Sequence, residues 1–444
     1  MEVGNNGVGG VAYRRPVADI AYPIAERTLA NGLRVVVSED HTVPTVTVNL
    51  WVGVGSRHEP AGRTGFAHLF EHLMFQGSRN VKSGEHFSAL MAEGGRLNAT
   101  TWFDRTNYFE TIPKGALELA LWLEADRHGH LLDAVTQENL DNQRDVVKEE
   151  KRQRYDNVPY GNALTDVYAT VFPEGHPYHH PTIGSMEDLD AASLEDVHAF
   201  FRHYYGPNNS VLTIVGDIEP EDAFAKVETY FGPLPASAQP PPHDVHHLDP
   251  LTEPARLERL EDVPNDRLHL AWRLPVDSDE DYLACSLAFD VLGGLSTSRL
   301  VQRLVRDEQS ATAVHAHTMG FVDGVSLGLL IIDVAAGTEA SAVEAAVVEE
   351  LERLIAEGPT DVELESSLAE TERSWLSSLA SQEERADLIC HYTLLADDSH
   401  YVNTLLDRVG AIGRERIKTA AAAYLQPRSR TVVSYLVEEQ EAAA

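Results

Sequence analysis

The sequence contains little cysteine and no long apolar stretch. Its 444 residues include only 2 cysteines, Cys285 and Cys390. Because they are so few and far apart, a disulfide framework and a four-cysteine zinc module are both excluded. The longest apolar runs, such as residues 327–334, are much shorter than the roughly 18 residues of a membrane-spanning helix. With 43% hydrophobic residues, the chain is expected to be a soluble protein of two or more domains, stabilised by packing.

Cations are also scarce, since 35 Lys and Arg stand against 70 Asp and Glu, a formal net charge of -35. Phosphate backbones and anionic membrane surfaces repel such a polyanion, so we expect neither a nucleic acid nor a membrane partner. Residues 1–20 place Gly and Asn before Arg14 and Arg15, the reverse of the order in a signal peptide. We therefore expect a cytoplasmic protein and keep the periplasm, reached after removal of a signal, as the alternative.

A proline-rich stretch divides the chain nearly in half. Prolines favour an extended connector, which predicts a first domain over 1–232, a linker over 233–256 and a second domain over 257–444. Each half ends with a helical pattern, a Tyr, a Pro three residues later and a β-rich run, at Pro207 and again at Pro427. This repeated punctuation indicates a duplication.

Strand and helix patterns alternate within each half. Apolar residues alternate with small or polar ones over 46–54 and 268–274, as in strands with one buried face. Helical patterns cover nine segments: 65–75, 116–128, 136–154, 193–204, 283–292, 298–307, 341–357, 361–379 and 414–424. The order predicts an α+β fold of two duplicated α/β sandwich domains, each a sheet covered by helices on one side.

One predicted helix, 65–75, carries a spacing typical of metal sites. His68 and His72 are four residues apart, so both imidazoles project from one face of the helix, and Glu71 lies on that same face. Two neutral imidazoles and a carboxylate suit a hydrolytic zinc site, where the carboxylate takes a proton from a metal-bound water. The alternative is an amphipathic helix with two core histidines. The apolar neighbours of these residues favour the metal site, because three buried ionisable groups are costly without a partner or an ion.

A third ligand is predicted on the helix over 136–154. Its apolar face is marked by Leu140, Val146 and Val147, and Glu150 follows Val147 by three residues, so it shares that face. Glu149 points elsewhere and is expected to be a solvated charge. The alternative is that Glu150 is one more acid on a charged helix.

The sequence resembles a known group, the inverzincin metallopeptidases that include pitrilysin, insulin-degrading enzyme and mitochondrial processing peptidase, in its half-length bacterial branch. The resemblance implies one Zn²⁺ held by His68, His72 and Glu150, with Glu71 as the catalytic general base. It also implies mainly antiparallel sheets and a two-domain chain that forms half of a clamshell. The segments that carry it are 68–72, 95–101 with Asp104, Thr106, Tyr108 and Pro113, then 144–150, 176–178, 182–185, 205–217 and 293–300.

The resemblance extends to substrate binding and to a partner. It implies that Asn98, Ala99 and Thr100 lie on an edge strand that pairs with an extended peptide. Arg306 matches an arginine that holds substrate in the family, although it could instead cap a surface helix. The family's tyrosine seven residues later is replaced by Ala313. In the family, four such domains enclose the substrate in a closed chamber, and this chain has two. We therefore expect a homologous second subunit, either in a heterodimer that supplies the missing tyrosine or in a homodimer.

A further departure is Gln143, which replaces an acid that the family carries seven residues before the third ligand. Its loss is expected to weaken the support of the metal or catalysis.

The sequence therefore predicts a zinc endopeptidase that hydrolyses oligopeptides or unfolded polypeptide segments. The alternative is a catalytically idle structural or assembly subunit of a processing-peptidase-like complex. The loop histidines His176, His179 and His180 are interpreted as surface residues and not as a second metal site, because no acid or cysteine stands at a ligand spacing.

Overall fold

The structure is a computed structural model that describes residues 20–237 and 245–438. The predicted absence of a signal peptide falls almost wholly on residues 1–19, and part of the predicted linker falls on 238–244; both lie outside the described residues. Residues 245–254 contain no helix or strand. The domain boundaries at 232 and 257 stay predictions. Within the described ranges, no helix combines the length and apolarity that crossing a membrane requires.

The described residues form a six-stranded and a five-stranded sheet. The strands are β1 Ala25–Thr28, β2 Arg34–Glu39, β3 Thr45–Val52, β4 Arg96–Thr101, β5 Thr106–Pro113, β6 Ser210–Gly216, β7 Ala255–Glu261, β8 Arg267–Leu274, β9 Ala311–Met319, β10 Ser326–Val334 and β11 Thr431–Val437.

Helices connect these strands. They are α1 Phe66–Leu73, α2 Glu85–Ala92, α3 Leu117–His130, α4 Gln137–Lys151, α5 Ala163–Val171, α6 Met186–Ala191, α7 Leu194–Tyr204, α8 Pro220–Phe231, α9 Glu280–Phe289, α10 Ala340–Glu357, α11 Asp361–Ala380, α12 Gln382–Ala396, α13 Tyr401–Gly410 and α14 Arg414–Tyr424. Segments of π-helix follow α4 at Arg152–Asp156 and α9 at Asp290–Gly294, and a third spans Val301–Asp307. Hydroxyl caps fix several starts: Thr136, Ser193 and Thr360 each accept the backbone N–H three residues on.

Apart from the extra edge strand β1, the two sheets have the same topology, which supports the predicted duplication. The first has the order β1-β2-β6-β3-β5-β4 and the second β7-β11-β8-β10-β9. In each, one pair is parallel, β2 with β6 and β7 with β11, and the other pairings are antiparallel. The repeated helix–Tyr–Pro–strand pattern corresponds to α7 with β6 and to α14 with β11. The predicted α+β class with mainly antiparallel sheets is therefore confirmed.

Helices cover both faces of each sheet, whereas one covered face was predicted. Helices α3 and α8 pack on one face of the first sheet and α12, from the second half, packs on the other. Conversely, α5 of the first half packs on the second sheet opposite α9, α10 and α14. The two halves thus exchange one helix each. As a result β3 is buried on both faces, and the prediction of a single buried face over 46–54 was wrong.

The nine predicted helices are present, with ends shifted by a few residues, the one over 298–307 as the π-helical Val301–Asp307. The sequence reading missed α2, α5, α6, α8, α12 and α13. Two of these, α5 and α12, are the exchanged helices.

Candidate metal centre

The orientation of the two histidines on helix α1 is fixed in two ways. The opposite side of the helix is buried, and its first turn is held in place. Leu69, Phe70 and Leu73 are fully buried. The helix begins after Gly65, whose φ of 84° suits glycine, and a Cβ there would lie 2.6 Å from a backbone oxygen of Ile183. These contacts leave His68 and His72 on the opposite side, with ring centroids 4.8 Å apart.

The carboxylate of Glu59 caps this helix. Its two oxygens accept the backbone N–H groups of Gly65 at 2.9 Å and Ala67 at 2.7 Å, donors that a helix N-terminus otherwise leaves unpaired. The cap fixes the beginning of the helix less than a turn before His68. Sequence reasoning missed Glu59 because it lies in the loop before the helix, outside any capping pattern.

Three potential ligand atoms converge beside α1. Oε2 of Glu150, on α4, lies 3.5 Å from Nε2 of His72 and 3.8 Å from Nε2 of His68. All three residues offer ligand atoms within 4.8 Å of one another. Donors bound tetrahedrally to one ion at about 2.1 Å lie roughly 3.4 Å apart, so the observed spacing suits a shared ion as well as a weak hydrogen bond from His72.

Helix α4 directs Glu150 as predicted, although one residue of the supporting pattern differs. Val147 is buried, three residues before Glu150, while Val146 is 43% exposed, so Val146 was wrongly assigned to the apolar face. The buried Gln143 occupies that face instead. Glu149 faces solvent and pairs with Arg152 at 3.2 Å, as expected for a surface acid.

The charges of the cluster suit a metal ligand set. Burial lowers the pKa of His68 to about 4, so its imidazole is neutral near pH 7 and offers a lone pair. Hydrogen bonding from His72, with the charges of His68 and Arg154, lowers the pKa of Glu150. Arg154 binds the other oxygen, Oε1, at 2.6 Å. Nδ1 of His68 is buried without a hydrogen-bond partner among the described residues, so protein contacts alone leave this imidazole unsatisfied.

The carboxylate of Glu71 lies beside the cluster and is held from β4. Oγ1 of Thr101 donates to Oε2 of Glu71 at 2.5 Å. Burial raises the pKa of Glu71, while Thr101, His72 and Arg105 oppose the rise. A partly desolvated carboxylate with one oxygen fixed is suited to accept a proton. Thr101 falls inside the 95–101 segment, but nothing in the spacing shows that its hydroxyl meets Glu71.

The three predicted peptide-binding residues lie on β4. This strand is the edge of the first sheet, and its outer side pairs with no strand in the described part of the chain. Asn98 is exposed, Thr100 half-buried and Ala99 buried against residues of α1. The edge strand therefore runs past the cluster.

Arg306 is not brought to this cluster by any contact. It lies in the second half, in Val301–Asp307, and its Nη2 donates to the backbone oxygen of Ser296 at 3.0 Å. Ala313 lies on β9, the edge of the second sheet. No hydrogen bond or ion pair between described residues links Arg306 to His68, His72 or Glu150.

The loop histidines have ordinary partners, but the prediction that all three lie at the surface was wrong for His176. This residue is buried, and its Nδ1 accepts the backbone N–H of Tyr178 at 3.1 Å. Nδ1 of His179 lies 2.7 Å from the backbone oxygen of Phe172 and Nδ1 of His180 lies 3.3 Å from that of Pro181. Glu39, His41 and Glu219 also come within ligand distance of one another, but two of the three are exposed, and His41 pairs with Asp217 at 2.7 Å. The half-buried ligand set is thus the one on α1 and α4.

Comparisons with known proteins relate both halves of the chain to one peptidase family. Residues 34–183 match the family described as insulinase (peptidase family M16), and residues 191–370 match the peptidase M16 inactive domain. His68, Glu71, His72 and Glu150 all fall within the first of these matches.

Individual relatives point the same way. The chain is 31% identical to the zinc protease PqqE of Helicobacter pylori over 83% of each protein. It is 29% identical to the probable mitochondrial-processing peptidase subunit beta of Schizosaccharomyces pombe, over 51% of this chain and 49% of that protein. The crystal structure of a protease from Helicobacter pylori superposes with a TM-score of 0.87 at 28% identity, covering 94% of this chain and 99% of that one.

Proposed function

The chain belongs to peptidase family M16, the insulinase family, and from that premise we propose that it is a zinc-dependent endopeptidase acting on oligopeptides or unfolded polypeptide segments. The observation that carries the proposal is the convergence of two imidazoles and a carboxylate, with a second carboxylate beside them. A purely structural subunit has no physical need for such a set, because burying it without an ion is costly.

The donor set suits zinc, one ion per chain, held by His68, His72 and Glu150. When bound there, zinc lowers the pKa of a water molecule and polarises the carbonyl of the scissile bond. Arg154, bound to Oε1 of Glu150, keeps Oε2 directed at the histidines.

Glu71 moves the proton in this proposal. Its Oε2 is occupied by Thr101, so Oε1 is the oxygen that accepts a proton from the attacking water and returns it to the leaving amine. The Thr101 hydroxyl fixes the rotation of the carboxylate, and a fixed base needs less reorganisation during the reaction.

Strand β4 offers a way to hold the peptide. An extended segment can add to the unpaired edge through backbone hydrogen bonds, which select for an unfolded conformation more than for side chains. Asn98, Ala99 and Thr100 are the proposed contacts, and their strand leads to Thr101, the partner of Glu71. We include a substrate-binding role for Arg306 only in the chamber that the two subunits form together, since no hydrogen bond or ion pair between described residues links it to the cluster.

Substitution of Glu71 by Gln tests this function. We expect Glu71→Gln to keep one zinc per chain, measured by elemental analysis, and to lose hydrolysis of an unfolded protein such as reduced casein by about 10²–10⁴-fold. Wild-type protein that binds no zinc, or a Glu71→Gln variant as active as wild type, would overturn the proposal. Zinc-loaded wild type without hydrolysis, alone or with a partner, would favour the idle structural subunit.

A homologous second subunit completes the proposed chamber. The relative in Schizosaccharomyces pombe is itself named a subunit, and Ala313 stands where a tyrosine is expected, which favours a heterodimer over a homodimer. Size-exclusion chromatography combined with the casein assay tests this: we expect the lone chain to be weakly active. Full turnover by a monomer would contradict it.

A further inference from the structure

Helix α12 of the second half carries an aspartate that binds the first sheet. Oδ1 of Asp387 accepts three side-chain donors: Nε1 of Trp51 at 2.9 Å, Nδ2 of Asn107 at 3.0 Å and Nδ2 of Asn49 at 3.2 Å. Trp51 and Asn49 lie on β3 and Asn107 on β5. One carboxylate of the zinc-free half therefore ties together two strands of the zinc-bearing half.

Arg105 carries this connection to the edge strand. It lies in the turn between β4 and β5, and its Nη1 donates to the backbone oxygen of Thr100 at 2.9 Å and to Oδ1 of Asn107 at 3.1 Å. It also donates to the hydroxyl of Thr100. Burial lowers the pKa of Arg105, and the carboxylates of Asp387 and Glu71 are the first two charges that oppose this. Its charge is thus influenced by the carboxylate of α12 and by that of α1.

The connection ends at the proposed general base. Thr100 pairs with Asn107 across the β4–β5 ladder, and the next residue, Thr101, donates to Glu71. Consecutive strand residues point to opposite faces, so β4 carries the contact from the α12 face of the sheet to the α1 face. A cavity of about 310 Å³ borders Asp387 and Arg105, so on that side hydrogen bonds hold these side chains more than close packing does.

We propose that Asp387 is a positioning residue through which the zinc-free half holds β4, and with it Thr101 and Glu71, in the arrangement that catalysis requires. The inference rests on the proposed function for its catalytic consequence, but its structural part, the order of β4, stands independently of activity.

The other half supplies a matched control. Asp166 lies on α5, the helix exchanged in the opposite direction, and accepts Nη2 of Arg259 at 2.7 Å and the hydroxyl of Tyr435 at 2.8 Å. Arg259 and Tyr435 lie on β7 and β11, at the end of the second sheet away from β9. Asp166 thus anchors an exchanged helix to β7 and β11 of the second sheet, and neither of these strands carries a residue of the proposed metal site.

The test compares Asp387→Asn with Asp166→Asn in the full chain. Each variant is near-isosteric and removes one charge from an exchanged helix. We expect Asp387→Asn to lower kcat by about 3- to 10-fold with little change in KM, because it acts on Glu71 only through β4 and Thr101 and a small misplacement of a catalytic group slows the reaction. We expect Asp166→Asn to keep both constants.

Hydrogen exchange supplies a readout besides activity. Amides of residues 96–101 should exchange faster in Asp387→Asn than in wild type, and should be unchanged in Asp166→Asn. Normal β4 exchange and normal kcat in Asp387→Asn, or equal effects of both variants, would overturn the positioning role. Should Asp387→Asn fail to fold, Arg105→Lys, which keeps the charge but loses the forked donor geometry, must show the same pattern. An inactive wild type defeats the proposed function, whereas the exchange result still decides the positioning role.

Discussion

The two halves share one topology but differ in what they place at the same position. In the first, α1, β4 and α4 surround His68, His72, Glu71 and Glu150; the corresponding elements in chain order are α9, β9 and α11. Helix α9 has no histidine and buries Cys285, Leu287 and Ala288 there. In the described ranges, no group of three potential ligands lies in the second half. The second half therefore has the matching strand order without such a group among its described residues.

The comparison also shows that neither half is self-sufficient. Each sheet has one face covered by a helix of the other half, α12 on the first and α5 on the second. Burial of apolar surface on those faces is a large part of what holds the halves together. The second half thus has a structural task, covering one face of the first sheet, that the absence of a ligand group among its described residues does not reveal.

The largest expected effect of a substitution is on α4, where two neighbouring acids, Glu149 and Glu150, should differ in their importance for zinc binding. Glu150→Gln should reduce zinc affinity by more than the roughly 10- to 100-fold typical of losing an outer partner of a metal site, because Glu150 faces both imidazoles. Hydrolysis should fall with it. Glu149→Gln, one residue away but facing solvent, should leave both unchanged. Isothermal titration with zinc measures the affinities, and equal effects of the two variants would break the assignment of Glu150.

Removal of zinc should weaken the protein without unfolding it. Since the second half reaches the same topology without ligands, the chelated chain should keep its far-UV circular dichroism. A ligand at 100 times its Kd adds about 2.7 kcal/mol, so Tm should fall by about 5–10 °C. Thermal melts with and without a chelator check this. Loss of helical signal on chelation would show that folding of the first half depends on metal.

The stability of the second half should fall at acid pH because of one buried histidine. Burial lowers the pKa of His269, on β8, from its ordinary 6.5 to about 4. The contribution of the neutral His269 side chain to the free energy of unfolding is complete above pH 6.5. It is lost as the pH falls towards 4, because the histidine of the unfolded state takes up a proton at a higher pH than that of the folded state. At pH 5 the loss is on the order of 2 kcal/mol. Urea unfolding at pH 7 and pH 5 should show a smaller difference for His269→Phe than for wild type; an equal difference would refute this origin.

The smallest of these effects is expected for kcat, on removal of one hydroxyl group from the edge strand β4, with a threonine on the other edge strand, β9, as the control. Thr101→Val removes the donor to Glu71 and should lower kcat about 10-fold, as for loss of a hydrogen bond to a charged group. Thr312→Val, on β9, should have no effect on kcat. Steady-state kinetics on one peptide substrate compare the two. Equal kcat values would remove Thr101 from the catalytic arrangement.

Local sequence patterns predicted those elements whose packing partners lie in the same half of the chain. The spacing of His68 and His72 placed both on one side of α1, and Val147 directed attention to Glu150 despite the error at Val146. The repeated Pro207 and Pro427 punctuation anticipated the matching topologies. In each case the informative residues are a few positions apart, or repeat one local pattern.

The exchanged helices could not be found this way. In α12 the buried positions Arg385, Ala386, Ile389 and Cys390 lie on one side of the helix, but they include a charged residue. Leu388 and Leu395 lie off that side and are partly buried, and the helix also packs against α11 and α13, so no purely apolar stripe marks the side that meets the first sheet. Its partners on β3 and β6 come from the other half of the chain, and no periodicity in α12 encodes them. The same non-local packing hid the burial of both faces of β3 and the contact between Asp387 and Asn107.

The central claim is a single zinc centre in the first half, and anomalous diffraction at the zinc edge from crystals of the purified chain tests it most directly. We predict one anomalous peak per chain, bounded by Nε2 of His68, Nε2 of His72 and Oε2 of Glu150, and none in the second half. Absence of a peak in zinc-supplemented crystals, or a peak confined to Glu39, His41 and Glu219, would contradict the account.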